Sequence, residues 1–338
     1  MAKDYSSIII SSKVRLTRNL AGFLFPSMLS GDEGIKVLNK VADTVLKISD
    51  GFKLYKVKTL PELDLNIMHE KKLITNRLMD SYSFGAAVLS EDETVSILIN
   101  ESDHITEQCT LFGLNLINAY EKLSEIDNQI LSKLDIAYDD KIGFLSASLS
   151  EVGTGLKASI TLFLPALTLN GKIKEVISSL ANQGMVLSTI GAEDEIDCQA
   201  YTYTISNSQT IGKKETDYII AITEIAIKIA EMEIRARTEL ISYKHIDDVK
   251  DKVMRAWGVL TNCYKISVAE SEQLLGELKM GVALDVLRFK EVNFIDNLMI
   301  DVLPYSLTKI SSSTVTDSDL DKYRAVFLSN VLKSKRIK

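Results

Sequence analysis

The sequence holds little from which to build a metal centre or a disulfide framework. Its three cysteines, Cys109, Cys198 and Cys263, are far apart, odd in number and without a CxxC pair. That spacing argues against a structural zinc site and points to a reduced, cytoplasmic setting. Histidine is as sparse: of three in 338 residues, His69 and His245 show no partner spacing, and His104 follows Glu101 and Asp103 at the end of an apolar strand. There is no basic excess, and a net charge of −7 argues against nucleic acid as the main ligand. No apolar run approaches the roughly 20 residues that cross a bilayer. The opening "MAKDYSSIIISSKVRL" has too short an apolar core for a signal peptide. Tandem repeats and low-complexity tracts are missing. What is there, 46% hydrophobic and 25% charged, is an ordinary globular composition in a chain long enough for two modest domains.

Patterning predicts mixed α and β structure. "IIISSKVRLTRNL" reads as an extended segment whose period of two puts Ser11, Lys13 and Arg15 on one face and Val14 and Leu16 on the other. "SGDEGIKVLNKVADTVLKI" reads as a helix, with Ser30 and Glu33 as a capping box and Ile35, Leu38, Val41, Val45 and Ile48 as the buried stripe. "FGAAVL", "SEDE" and "TVSILIN" read as strand, turn, strand. "KIGFLSASLSEVGTGLKASITLFLPAL" is a second β-rich region, and "GKIKEVISSLANQG" is a helix that Gly184 stops. "MVLSTI" and "QAYTYTIS" are strands around the acidic loop "GAEDEIDC". From residue 214 onward the pattern is mostly helical, opening with one long amphipathic helix. A boundary at its end divides the chain into domains 1–242 and 243–338.

Three stretches carry groups that could do chemistry. Lys13 and Arg15 share a strand face and either clamp a polyphosphate or decorate a solvated edge. In "EVGTGLKAS", Gly153 and Gly155 either admit an anion to backbone N–H groups, with Lys157 adding charge, or form a tight turn. "LINESDHITEQC" ends an apolar strand in Glu101, Asp103 and His104, which either orient a cation, help to hold a metal ion, or cap the strand in water.

Taken together, "SSKVRLTRNLAGFLFP", "FGAAVLSEDETVSILINESDH", "EVGTGLKASITLFLPAL", "ISNSQTIGKKETD" and "WGVLTNCYKI" resemble, in order and spacing, the bacterial protein arginine kinases of the guanidino (phosphagen) kinase superfamily. The resemblance covers nearly the whole chain. It implies an α+β fold: a catalytic domain with an antiparallel sheet flanked by helices, then an all-helical domain for dimerisation and phosphoarginine docking. It also implies Mg-ATP, protein clients, a small zinc-binding activator protein and the Clp machinery as partners. A guanidinium is a protonated, poor nucleophile, so carboxylates must orient it and take its proton while cations neutralise the transferring phosphoryl group. On the resemblance, Glu101, Asp103 and the loop carboxylate Glu193 serve the guanidinium. Lys13, Arg15, His104 and Lys157 hold the nucleotide, and Asp321 and Arg324 dock phosphoarginine.

The chain departs from the family pattern at the chemistry. Ser102 stands where the family has a second glutamate that resembles the catalytic base. Thr106 and Ser188 stand at phosphate-binding arginines, and Ser148 at a reactive cysteine. Lys13 and Lys157 replace arginines, which keeps charge but loses the bidentate fork. Leu320 replaces the first arginine of the docking motif. Losing a general base costs roughly 10²–10⁴ in rate, and one transition-state donor roughly 10²–10³. The expectation is a protein arginine kinase homologue with phosphotransfer lost or much reduced, acting as a regulatory or binding protein. The alternative is an active kinase with a rearranged site.

Overall fold

A computed structural model describes residues 4–81, 83–181, 183–189, 200–242, 246–291, 294–311 and 317–337. The chain divides into two compact units. The first holds Met1–Leu162, Lys174–Ser188 and Thr204–Ala230; the second holds Phe163–Ile173, Thr189–Tyr203 and Glu231–Lys338. In chain order come β1 (Ile9–Arg18), α1 (Gly31–Val45), β2 (Lys53–Lys56), α2 (Glu62–Glu70), α3 (Asn76–Asp80), β3 (Ala86–Leu89), β4 (Val95–Ile99), β5 (Ile105–Phe112) and α4 (Leu116–Lys133). A small hairpin, β6 (Tyr138–Asp139) and β7 (Gly143–Phe144), precedes β8 (Leu156–Phe163), α5 (Pro165–Leu169), α6 (Ile173–Ala181), β9 (Met185–Thr189) and β10 (Thr202–Asn207). Helices α7 (Glu215–Ser242), α8 (Ile246–Asn262), α9 (Val268–Ala283), α10 (Phe294–Asp301), α11 (Pro304–Ser311) and α12 (Asp317–Lys335) follow. The expected architecture is present: a sheet flanked by helices, then a helical C-terminal region. No described helix is long and apolar enough to cross a membrane.

The first unit is built on an eight-stranded sheet in the order β2-β3-β4-β5-β1-β8-β10-β9. From β2 to β8 each neighbouring pair is antiparallel. Period two in β1 does what the sequence predicts. Val14 and Leu16 are fully buried, and α4 packs on β1 and β5 through Ala119, Leu123 and Ile130. Arg18 lies on that same face, where its guanidinium forks onto Asp127 of α4 at 3.0 and 2.8 Å and stacks 3.8 Å from the ring centre of Phe144. The opposite face is polar across three strands. Thr17 pairs with Thr106, Arg15 with Gln108 and Lys157, and Lys13 with Thr110 and Ser159. One face thus builds the core, and the other is left to build a site.

Helix α1 has the predicted capping box: Ser30 accepts from the Glu33 N–H, and the Glu33 carboxylate accepts from the Ser30 N–H at 3.1 Å. Its buried stripe is Gly34, Val37, Leu38, Val41, Ala42 and Val45, rotated from the expected one so that Ile35 is exposed. Gly34 explains the rotation, since a Cβ there would stand 2.5 Å from the Phe84 ring that packs against it.

In the second unit, α8 packs on α9 and α12, and α11 on α12, around Val253, Leu260, Leu275, Leu278, Leu298, Leu328 and Leu332. Buried Glu233 of α7 accepts from the first N–H groups of α5, Ala166 at 3.0 Å and Leu167 at 2.9 Å. A carboxylate at a helix N-terminus meets both its unpaired donors and its dipole.

Candidate active site

The turn from β4 to β5 reverses in very few residues because Asn100 takes a left-handed conformation, φ +57°. Asparagine tolerates that region, and its side chain can repay the strain with hydrogen bonds. Here its amide donates to the Gly34 and Phe84 carbonyls, both at 3.0 Å. The turn closes by Asn100 N–H to His104 C=O at 3.0 Å and Glu101 N–H to Asp103 C=O at 3.1 Å. Glu101, Ser102 and Asp103 consequently line a cavity of about 410 Å³, with Thr106 behind them on β5.

A second wall comes from the segment before α3. Leu73, Ile74 and Leu78 are buried in a cluster with Leu89 and Leu98 of the sheet. Gln108 of β5 donates its amide to the Leu73 carbonyl at 2.9 Å and the Lys72 carbonyl at 3.3 Å. These anchors hang Thr75, Asn76 and Arg77 over the cavity. Thr75 caps α3 by accepting from the Leu78 N–H, and its hydroxyl donates to Glu101. Thr106 donates to the other Glu101 oxygen at 3.3 Å. Arg77 donates from Nη1 to the Ser102 hydroxyl at 2.7 Å.

The third wall joins β1 to the loop before β8. Glu151 takes the Arg15 guanidinium on one oxygen and the Thr17 hydroxyl, at 2.9 Å, on the other. Ser148 lines the cavity beside it and shares a 2.9 Å hydrogen bond with Ser150. The glycines here serve close packing inside the protein. A Cβ on Gly155 would lie 2.6 Å from both the Arg18 guanidinium and the Thr17 carbonyl. On Gly153 it would lie 2.7 Å from the Thr210 carbonyl.

Electrostatics separate the groups by role. Asp103 is buried, and burial raises its pKa. It accepts from the Asn19 amide at 2.5 Å and the Ala147 N–H at 2.7 Å, so it braces the cavity wall. His104 is turned away from the cavity. Its Nδ1 accepts from the Leu20 N–H at 3.1 Å and its Nε2 donates to the Leu24 carbonyl at 2.9 Å. Burial lowers its pKa to about 4, so it is a neutral ring tying the β4–β5 turn to the chain after β1. Burial, reinforced by Arg15 and Lys72, lowers Lys13 to about 8. Burial also lowers Lys157, which donates to the Asn207 carbonyl at 2.6 Å.

The structure therefore brings together Arg15, Glu101, Ser102, Asp103, Thr106 and Ser148 around one cavity. Lys13 and Lys157 share the sheet face with Arg15 without lining that cavity, and His104 does not line it. Ser188 is on β9, where its hydroxyl meets the Thr204 carbonyl at 3.4 Å. Glu193 lies outside the described residues. In the second unit, Arg324 is 1% exposed and donates to the Val302 and Ile266 carbonyls, each at 2.8 Å, and to Asp321 at 2.5 Å. The two docking residues thus bind each other, and Leu320 beside them is buried. Sequence reasoning missed Thr75, Asn76, Arg77 and Glu151. Only Glu151 had a signal, as the first residue of the glycine stretch.

Comparison with known proteins decides the family. Residues 35–236 match the ATP:guanido phosphotransferase C-terminal catalytic domain, and residues 246–338 match the protein-arginine kinase McsB C-terminal domain. The protein-arginine kinase of Caldanaerobacter subterraneus subsp. tengcongensis is 33% identical over 332 residues, covering 97% of this chain and 98% of that one. The chain belongs to the protein-arginine kinase family. The enzyme of Geobacillus thermodenitrificans is 34% identical over 333 residues, 97% of this chain and 91% of its own. Among solved structures, lombricine kinase shares the fold at TM-score 0.61 and 20% identity, over 70% of this chain and 69% of that one. The duplicated taurocyamine kinase of Schistosoma mansoni with bound transition state analog components reaches TM-score 0.64 at 20% identity, over 78% of this chain. This chain spans 39% of that duplicated one.

Guanidino kinases use ATP with Mg²⁺. The sheet face fits the phosphates: Arg15, Lys13 and Lys157 stand on adjacent strands, and the Arg15 Nε is buried without a partner. No group of three or more His, Cys, Asp or Glu side chains converges on a metal site among the described residues.

Proposed function

We propose that this member of the protein-arginine kinase family has lost most or all phosphotransfer and acts by binding, as a cytoplasmic regulatory protein in protein quality control or the stress response. The observation that carries this reading is the pairing at Ser102 and Arg15. At the position of the family's base stands a hydroxyl that accepts from Arg77, and a serine hydroxyl is too weak a base to take the guanidinium proton. The cation of β1 that would meet phosphate is instead held by Glu151. The Glu101 oxygens are each capped by a threonine hydroxyl. Retention of Glu101, Asp103 and the cavity itself favours a second reading, an active arginine kinase with a rearranged site in which Glu101 holds the guanidinium. Protein clients, a zinc-binding activator and the Clp machinery are the partners this reading takes from the family.

The test is incubation of purified protein with Mg-ATP, a zinc-binding activator and an arginine-rich substrate protein, followed by mass spectrometry for acid-labile phosphoarginine. The regulatory reading expects none above background. Turnover that Glu101→Ala abolishes would establish the second reading instead. We also propose that residues 243–338 drive homodimerisation, supported by the exposed Met254, Val259, Tyr264 and Val326 in this region. Light scattering should give a dimer for the full chain and a monomer after removal of residues 243–338.

A further inference from the structure

The cavity is lined by a cation that the sequence motifs did not single out. Arg77 is exposed, and the one hydrogen bond of its side chain among the described residues is to the neutral hydroxyl of Ser102. Among the described residues it has no carboxylate partner, and most of its donor fork is unused there. The other guanidinium lining the cavity, Arg15, is neutralised by Glu151. The Arg77 backbone is held by the burial of Ile74 and Leu78 on either side and by Gln108 on the carbonyls before them. Its placement is therefore a product of the packing. Thr106, at the position of the family's phosphate-binding arginine, lines the same cavity.

We propose that Arg77 is the phosphate-binding cation of this cavity, replacing from the opposite wall the arginine missing at position 106. A guanidinium with a free fork takes two oxygens of a phosphoryl group at once, whereas a hydroxyl such as Thr106 offers one donor and no charge. Arg77 is a binding and positioning residue for the terminal phosphate of a nucleoside triphosphate. The assignment rests on the reading of the cavity as a retained ligand site, and it holds whether or not transfer follows binding.

The experiment is calorimetric titration of the full chain with Mg-ATP, inorganic phosphate and adenosine, on wild type, Arg77→Ala, Arg77→Lys and the double variant Arg77→Ala with Thr106→Arg. One charge-assisted contact removed should weaken Mg-ATP about 10- to 150-fold. Adenosine binding should be unchanged, Lys should retain part of the affinity, and Thr106→Arg should restore most of it. Response of inorganic phosphate to Arg77→Ala would show that the phosphoryl group alone is recognised; response of Mg-ATP only would show that the nucleotide must position it. Either result supports the assignment. Unchanged Mg-ATP affinity in Arg77→Ala, equal loss of adenosine binding, no rescue by Thr106→Arg, or a wild type that binds neither phosphate nor Mg-ATP would overturn it. Phosphoarginine formation by the wild type would refute the regulatory reading and leave this assignment intact.

Discussion

Glu151→Gln should increase nucleotide affinity. In the folded chain the Glu151 carboxylate occupies Arg15 and Thr17 in the way a phosphate would, with one oxygen on each. An incoming phosphate must displace it. The pair is partly sheltered, with the side chains 28% and 12% exposed. Its strength therefore falls between an exposed pair, about 0–1 kcal/mol, and a buried one whose breaking costs about 3–5 kcal/mol. A hydrogen bond to a charged group, about 1.5–3 kcal/mol, is the appropriate scale. Glutamine keeps the shape and can still accept from Thr17, but its neutral oxygen releases the guanidinium charge. Mg-ATP affinity should then rise by roughly 10- to 150-fold, while the unfolding free energy falls by less than about 3 kcal/mol. Calorimetric titration and urea unfolding of the same preparations read both. Unchanged or weaker Mg-ATP binding in a folded Glu151→Gln protein would refute the reasoning and make Glu151 a part of the ligand site.

Ser102→Glu with Thr106→Arg should raise phosphoarginine formation by at least about 10²-fold, the lower end of a general base's contribution. No gain, even with Lys157→Arg and Ser188→Arg added, would place the defect in the backbone of the site. His104 makes stability depend on pH. Its folded pKa of about 4 lies below the ordinary 6.5, so the unfolded chain binds more protons between those values. Stability therefore rises with pH across that window and is lost as pH falls through it, by roughly 3 kcal/mol. Urea midpoints at pH 7 and 4.5 should differ more in the wild type than in His104→Gln, and equal differences would refute the assignment. Arg324→Leu should destabilise the helical unit by about 2–6 kcal/mol, since it leaves two buried carbonyls without a donor. Leu320→Arg, which completes the family's docking motif, should lower stability without producing phosphoarginine binding to an affinity matrix.

Local rules made much of the fold legible. Period two in β1 named both of its faces, and Ser30 and Glu33 fixed the start of α1 through the capping box. The β4–β5 turn and its carboxylates also stand where the sequence put them. Reading failed where a residue's meaning depends on a distant partner. His104 looked like a nucleotide-holding or cation-orienting group because its neighbours in sequence are polar, but its ring nitrogens meet the backbone groups of Leu20 and Leu24. Arg324 looked like a docking cation until burial enclosed it. Arg77 and Glu151 meet their partners across 25 and 136 residues, and nothing in a local pattern carries that information. Glu107 is a similar case. It lies fully buried on the core face of β5 with both oxygens unpartnered, its pKa raised by burial and by Asp127.

Gln108 has a consequence beyond its two hydrogen bonds. It fastens a loop-borne wall of the cavity to a sheet-borne wall, so the two can change independently as long as the fastening holds. A charge deleted from one wall can be supplied from the other without disturbing the register of any strand. Position-by-position reading of a family motif scores such an exchange as a loss, because it inspects one wall at a time. For chains of this kind, degeneracy is a property of the enclosed volume and its net complement of charges, and a missing motif residue establishes it only after every side chain that reaches the volume has been counted.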